Sequence, residues 1–157
     1  MFSIYTALRI SDLLTLRWGD VYDYKLKKPK ETFTITEKKT GKSKIIAINK
    51  NVAVVLKKTA ATSQPHEFLF ANENTRKAIS RTQAYRIIRT AGENLNFPMR
   101  ISCHSLRKTF GYHSWENGVS PVVMMEIYNH TSYAVTKRYL GVSQDDQNAV
   151  YVSLSFR

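Results

Sequence analysis

The chain has 157 residues, 43% of them hydrophobic, and carries 24 Lys and Arg against 12 Asp and Glu for a formal net charge of +12. This is enough apolar material for one core, and the surplus of positive charge favours a polyanionic partner, nucleic acid first, through counterion release. No run approaches the roughly 18 apolar residues of a spanning helix, MFSIYTALRISDLL lacks the features of a signal peptide, and Cys103 as the only cysteine excludes an internal disulfide or thiolate zinc cluster, so no membrane partner and a cytoplasmic location are expected.

Phe2, Ile4, Tyr5 and Leu8 read as the tail of a helix already under way, which suggests that the chain begins inside a domain. Ser11 is a cap for a helix over Asp12 to Leu16, with Leu13, Leu14 and Leu16 facing a core. Lysine dominates from about residue 25 to 58. Within that stretch Thr32 to Thr36 and Lys44 to Ile48 read as strands of a hairpin that turns at Thr40 and Gly41. A helix follows over Lys50 to Ala61, a second from the Ser80 cap through Ala91, and a third from Ser102 to near Gly118. Ser120-Pro121 starts a further helix, because proline suits the first helical position, and another short helix ends near Tyr139. Ser143, Asp145 and Asp146 cap a last helix reaching Leu154, although the alternation in VYVSLSF leaves an edge strand open there. The fold class expected is α+β, mainly α-helical, with a small antiparallel β-hairpin in the N-terminal third.

Cutting a phosphodiester without a metal needs a nucleophile, cations on the non-bridging oxygens, and an acid for the leaving oxygen. Arginine suits the clamp, since its planar fork bonds phosphate in bidentate fashion and keeps its charge. Arg9 and Arg107 are the candidates. In His104-Ser105-Leu106-Arg107 the imidazole and guanidinium are three residues apart, on one helix face. A bare HxxR is weak by itself and is more often a solvated helix face. No acidic cluster with metal-ligand spacing, no GxxxxGK[ST] loop and no thiolate pair occurs, so neither metal nor cofactor is expected.

Four segments give these residues a pattern. TALRISDLLTLRWGDV, EKKTGKSKIIAI, CHSLRKTFGYH and NHTSYAVTKRYLGVS, in that order, resemble the signature boxes of the tyrosine recombinase (phage integrase) family over Thr6 to about Ser143, with the flavour of integrases from phages and integrative elements of low-GC bacteria. The resemblance implies that Arg9 and Arg107 are the clamp arginines and Lys39 the catalytic lysine at the hairpin tip. His104 opens the HxxR motif, His130 is the later histidine, and Tyr139 is the nucleophile. A phenol, with an ordinary pKa of about 10, is a weak nucleophile unless nearby cations favour its phenolate. The implied product is a 3′-phosphotyrosine that a 5′ hydroxyl can attack, so DNA is resealed without ATP. Asp12 resembles the acid after the first arginine and is expected to support the site from a buried position.

Three departures from the family pattern stand out. Ala7 replaces a glycine common before LR and is expected to need an ordinary backbone conformation; Ser105 stands where HDLR is usual; Tyr128-Asn129 replaces LG. None removes a reactive group. Residues 1–143 are expected to form the catalytic domain, without the smaller upstream core-binding domain that family members use to clamp DNA. Lys42, Lys44 and Arg81 are expected on backbone phosphates of double-stranded DNA. The tail, 144–157, with apolar Val150, Tyr151, Leu154 and Phe156, is expected to dock either on its own domain or on a neighbour, as in family tetramers on paired sites, while the isolated chain is expected to be monomeric. Competing readings are a type IB topoisomerase, which shares the chemistry, and a DNA-binding integrase remnant that has lost catalysis.

Overall fold

The computed structural model describes residues 1–153 and separates into two units, residues 1–107 and those from Lys108 on, which are taken in turn. The first unit is built on short elements at its N-terminus: α1 (Phe2–Thr6), α2 (Ile10–Leu13) and α3 (Trp18–Val21). The helix expected at Asp12 to Leu16 starts earlier, with Arg9 as its N-cap, and stops at Leu13. Ser11 does not cap it; its hydroxyl contacts Asp12 Oδ1 instead. The early stop has a cause in the following backbone. Leu69 N–H donates to the Leu16 carbonyl and Trp18 N–H to the Glu67 carbonyl, forming a bridge at Arg17 and Phe68 that requires extended chain. Leu13, Leu14 and Leu16 are nevertheless all buried.

Two antiparallel hairpins follow, β1 (Tyr22–Asp23) with β2 (Lys28–Pro29), and β3 (Thr32–Thr36) with β4 (Ser43–Ala47). The second is the hairpin anticipated at the lysine-rich segment, its return strand one residue earlier than expected. Phe33 pairs with Ile46 and Ile35 with Lys44, so the period-2 pattern sends Phe33 and Ile35 inward while Thr32, Thr34 and Thr36 stay exposed. Each inward side chain contributes roughly 1.5–3 kcal/mol of burial. They join Phe2, Leu8, Leu13, Leu16, Trp18, Val21 and Tyr22 in one core. Helix α4 (Lys50–Thr59) closes that core with Val52 and Leu56, four residues apart on one face, and continues as a 3-10 turn whose Ala60 is also buried. Helix α5 (Arg81–Asn94) opens with the expected Ser80 cap, elaborated by Gln83 into a reciprocal capping box.

Helix α6 (Cys103–Glu116) begins in the first unit and ends in the second. At its start the Ser102 N–H donates to the Ser105 hydroxyl at 3.1 Å, and the Ser105 N–H donates back to the Ser102 hydroxyl at 3.4 Å. Ser105 thus makes the returning bond of a capping box with its hydroxyl.

The second unit continues with α7 (Pro121–Tyr128), α8 (Tyr133–Leu140) and α9 (Gln144–Ser153). Ser120 caps α7 with Pro121 in the first turn, as the sequence indicated. Ser143 and Asp146 bond reciprocally at the start of α9, and the Ser143 N–H holds the Asp146 carboxyl below its ordinary pKa. That cap decides the ambiguous tail: Val150 to Ser153 are helical and not an edge strand, while Leu154 and Phe156 lie outside the described residues. Among the described residues no helix is long and apolar enough to cross a membrane.

Candidate active site

In the first unit the two clamp candidates, Arg9 and Arg107, meet at one stretch of backbone. Ala7, fully buried at the C-terminal end of α1, has φ 54° and ψ 15°. The expectation of an ordinary conformation there is corrected: alanine takes the left-handed geometry that glycine would take, at a cost of about 1–2 kcal/mol. Its carbonyl accepts a hydrogen bond from the Arg107 guanidinium, a residue 100 positions away, and Arg9 follows two residues later as the cap of α2. Arg107 is only 2% exposed. His104, three residues earlier on α6, is exposed.

Lys39 is exposed at the tip of the β3–β4 hairpin, in the turn 38–40. Its base is pinned from two sides. Asp12, fully buried, accepts the Lys38 N–H at 3.0 Å through Oδ1, and Glu37, also fully buried, closes the loop through Glu37 N–H to the Lys42 carbonyl and Gly41 N–H to the Glu37 carbonyl. Asp12 therefore holds the hairpin to α2 from the buried position expected of it. Of the residues expected on DNA, Lys42 is exposed, and Lys44 donates to Glu37 Oε1 at 2.7 Å. Arg81 lines a cleft of about 530 Å³ together with Ser11, Thr15, Lys38 and Ser80.

In the second unit His130 and Tyr139 are neighbours on a shared platform. Their ring centroids are 5.0 Å apart, and both rings pack on Tyr128, His130 stacked at 5.1 Å and Tyr139 tilted at 4.8 Å. Tyr128 is fully buried and also meets Phe110, the two rings near-perpendicular at 6.2 Å. The chain turns from Tyr128 to His130 through Asn129, at φ 53°, with the His130 N–H returning to the Met125 carbonyl. Asparagine is among the few residues that enter the left-handed region readily, so it replaces the family's glycine without loss of the turn. His130 Nδ1 lies 3.0 Å from the buried Thr136 hydroxyl, which fixes the imidazole plane one helical turn from Tyr139.

Sequence reasoning missed Glu37, Tyr128, Thr136 and Gly111. Glu37 left a signal, being the only acid between Glu31 and Glu67 in a lysine-rich stretch. Gly111 left none. A methyl carbon there would lie 2.6 Å from the Tyr139 carbonyl oxygen and 2.6 Å from the Tyr128 hydroxyl, so only glycine lets α6 approach the end of α8 this closely. Gly111→Ala is expected to destabilise the protein by roughly 1–3 kcal/mol, because the added methyl must push α6 away from the end of α8. Thermal melting checks this; an unchanged melting temperature would mean that the two helices can part without loss.

The sequence pattern of the phage integrase family matches residues 1–145, and the chain belongs to that family. A Bacillus subtilis (strain 168) protein described as probable integrase/recombinase YoeC is 38% identical over 151 residues, covering 96% of this chain and 80% of that protein. Tyrosine recombinase XerD of Listeria monocytogenes serotype 4b (strain F2365) is 25% identical over 154 residues, 93% of this chain and 50% of that one. The crystal structure of XerA recombinase shares the fold, with a TM-score of 0.76 at 22% identity, covering 99% of this chain and 56% of the other. This chain thus spans most of the Bacillus relative but about half the length of the XerD and XerA proteins.

Proposed function

We propose that this chain is the catalytic part of a site-specific DNA recombinase that cuts and rejoins double-stranded DNA through a 3′-phosphotyrosine at Tyr139. The observation that carries this reading is the His130–Tyr139 pair, rings 5.0 Å apart on the Tyr128 platform, in a chain of the phage integrase family. On the family's pattern Arg9, Arg107, His130 and Tyr139 would act on one phosphodiester. The arginines neutralise the non-bridging oxygens as negative charge builds, which is where electrostatic stabilisation acts most strongly. A bond forms between Tyr139 Oη and phosphorus, the bond to the 5′ oxygen breaks, the phenolic proton is lost to base, and Lys39 protonates the departing oxygen with His104 assisting. Because the phosphotyrosine conserves the phosphodiester bond energy, attack by a 5′ hydroxyl of another strand reverses the step on a new partner. Two guanidinium groups perform the role a metal ion would have as Lewis acid, so the reaction proceeds in chelator.

Net charge of +12 supports DNA as the substrate, with Lys42, Lys44 and Arg81 on backbone phosphates. Helix α9 presents Val150, Tyr151 and Val152 at 58%, 76% and 86% exposure, a surface suited to docking on a neighbouring protomer when four catalytic parts assemble on paired sites. The bacterial relatives favour a cytoplasmic protein associated with the nucleoid.

The test is a duplex carrying the candidate core site with a nick beside the scissile phosphate, so that the short 5′ fragment diffuses away after cleavage. In EDTA a denaturation-resistant protein–DNA complex is expected. Its absence, also with an upstream core-binding domain supplied, would overturn the enzymatic reading.

A further inference from the structure

We infer that Glu37 is a positioning residue that sets the lysine turn against the Arg9 clamp, a role that rests on the recombinase reading above. Its carboxylate is fully buried and spans two cations: Oε2 accepts from Arg9 at 2.7 Å and Oε1 from Lys44 Nζ at 2.7 Å. A buried carboxylate is tolerated when it is paired and hydrogen-bonded, and here the Thr40 hydroxyl adds a bond to Oε2 at 3.0 Å. One carboxylate against two cations leaves net positive charge at the cluster. The Arg9 and Lys44 side chains keep 21% and 17% exposure, so each retains a face for phosphate. The Arg9 bond engages one donor of a five-donor fork.

Glu37 also governs the turn through its backbone. Its N–H and carbonyl close the loop onto Lys42 and Gly41, and its side chain takes Thr40, so three bonds to residues 40–42 fix the loop that presents Lys39. The same residue therefore fixes the position of the arginine that would hold the phosphate and of the turn whose lysine would protonate the leaving oxygen. Loss of its charge would loosen the second with respect to the first. The step most affected is proton delivery to the 5′ oxygen, because a general acid must lie within hydrogen-bond reach of the atom it protonates.

Glu37→Gln keeps the size and one acceptor oxygen but removes the charge. The experiment compares single-turnover cleavage by the parent and variant chains on two nicked duplexes, one ordinary and one with sulfur in place of the bridging 5′ oxygen. A thiolate leaves without protonation, so that substrate bypasses the acid. On ordinary DNA the variant is expected to be slower by roughly 10- to 100-fold, and on the sulfur substrate by a clearly smaller factor, the part owed to Arg9 remaining. Equal losses on both substrates, or no loss on either, would overturn the positioning role. Thr40→Val, which at an exposed position removes the bond to Glu37 and a longer one from the Lys42 N–H, is expected to show the same substrate dependence with a smaller loss; should Glu37→Gln not fold, equal behaviour of Thr40→Val on the two substrates overturns the role. A parent chain that cleaves neither duplex would mark failure of the recombinase reading, and the role of Glu37 in catalysis would fall with it.

Discussion

Tyr139→Phe is expected to bind a core-site duplex with the affinity of the parent and to form no covalent complex with it. The phenylalanine ring keeps the packing of Tyr139 on Tyr128 and His130, at 4.8 and 5.0 Å between centroids, so the second unit retains its platform. What disappears is the single oxygen proposed to attack phosphorus. Removing a nucleophile outright lowers turnover by roughly 10⁴-fold or more, which takes cleavage below detection. Melting temperature and DNA affinity measured alongside separate this loss from misfolding. Residual adduct in the variant would place the nucleophile at another of the nine tyrosines.

Arg107 is expected to give the other large effect, on stability and chemistry together. Its side chain is 2% exposed and its guanidinium donates to the Ala7 carbonyl. Arg107→Ala leaves that carbonyl without this donor and removes a large buried side chain, a destabilisation of roughly 2–4 kcal/mol. On the proposed reading Arg107 also donates to the phosphoryl oxygens, and its loss would lower cleavage by roughly 10²–10³-fold. Arg107→Lys separates the two contributions. Lysine keeps the charge and one donor but not the planar fork, so it is expected to recover most of the melting temperature while cleavage stays well below the parent. Cleavage at the parent rate in the lysine variant would show that charge alone suffices at this position.

The elements of this fold were legible where local chemistry decides them. Ser80, Ser102, Ser120 and Ser143 each mark a helix start that the structure contains, because a cap acts through residues two or three positions away. The β3–β4 hairpin was legible for a similar reason, with Gly41 at φ 68° in its turn. Ser11 misled, because α2 starts before it with Arg9 as cap, and the stop at Leu13 depends on backbone pairing with residues 67–69, far away in sequence. The left-handed Ala7 was hidden in the same way: its conformation is held by burial and by the bond from Arg107, neither of which is local. Asn129 could have been foreseen, since asparagine itself favours that geometry.

The candidate site divides along the same line. Arg9, Lys39, His104, Arg107, His130 and Tyr139 were named from the four boxes, whose motifs specify residue type and spacing. The residues around them were not, because Glu37, Thr136, Tyr128 and Gly111 serve through contacts that span the fold or through the absence of a side chain. A buried acid between two cations reads in sequence as one more charge among lysines. A glycine in mid-helix reads as a weakness, and its reason is visible only when the Tyr139 carbonyl is seen beside it.

The most direct test of the central claim is to trap the protein on a nicked core-site duplex in EDTA, digest protein and DNA, and identify by mass spectrometry which residue carries the nucleotide. A single modified peptide is expected, with a 3′-linked nucleotide on the phenolic oxygen of Tyr139. A nucleotide on any other residue, or a 5′ linkage at Tyr139, would contradict it.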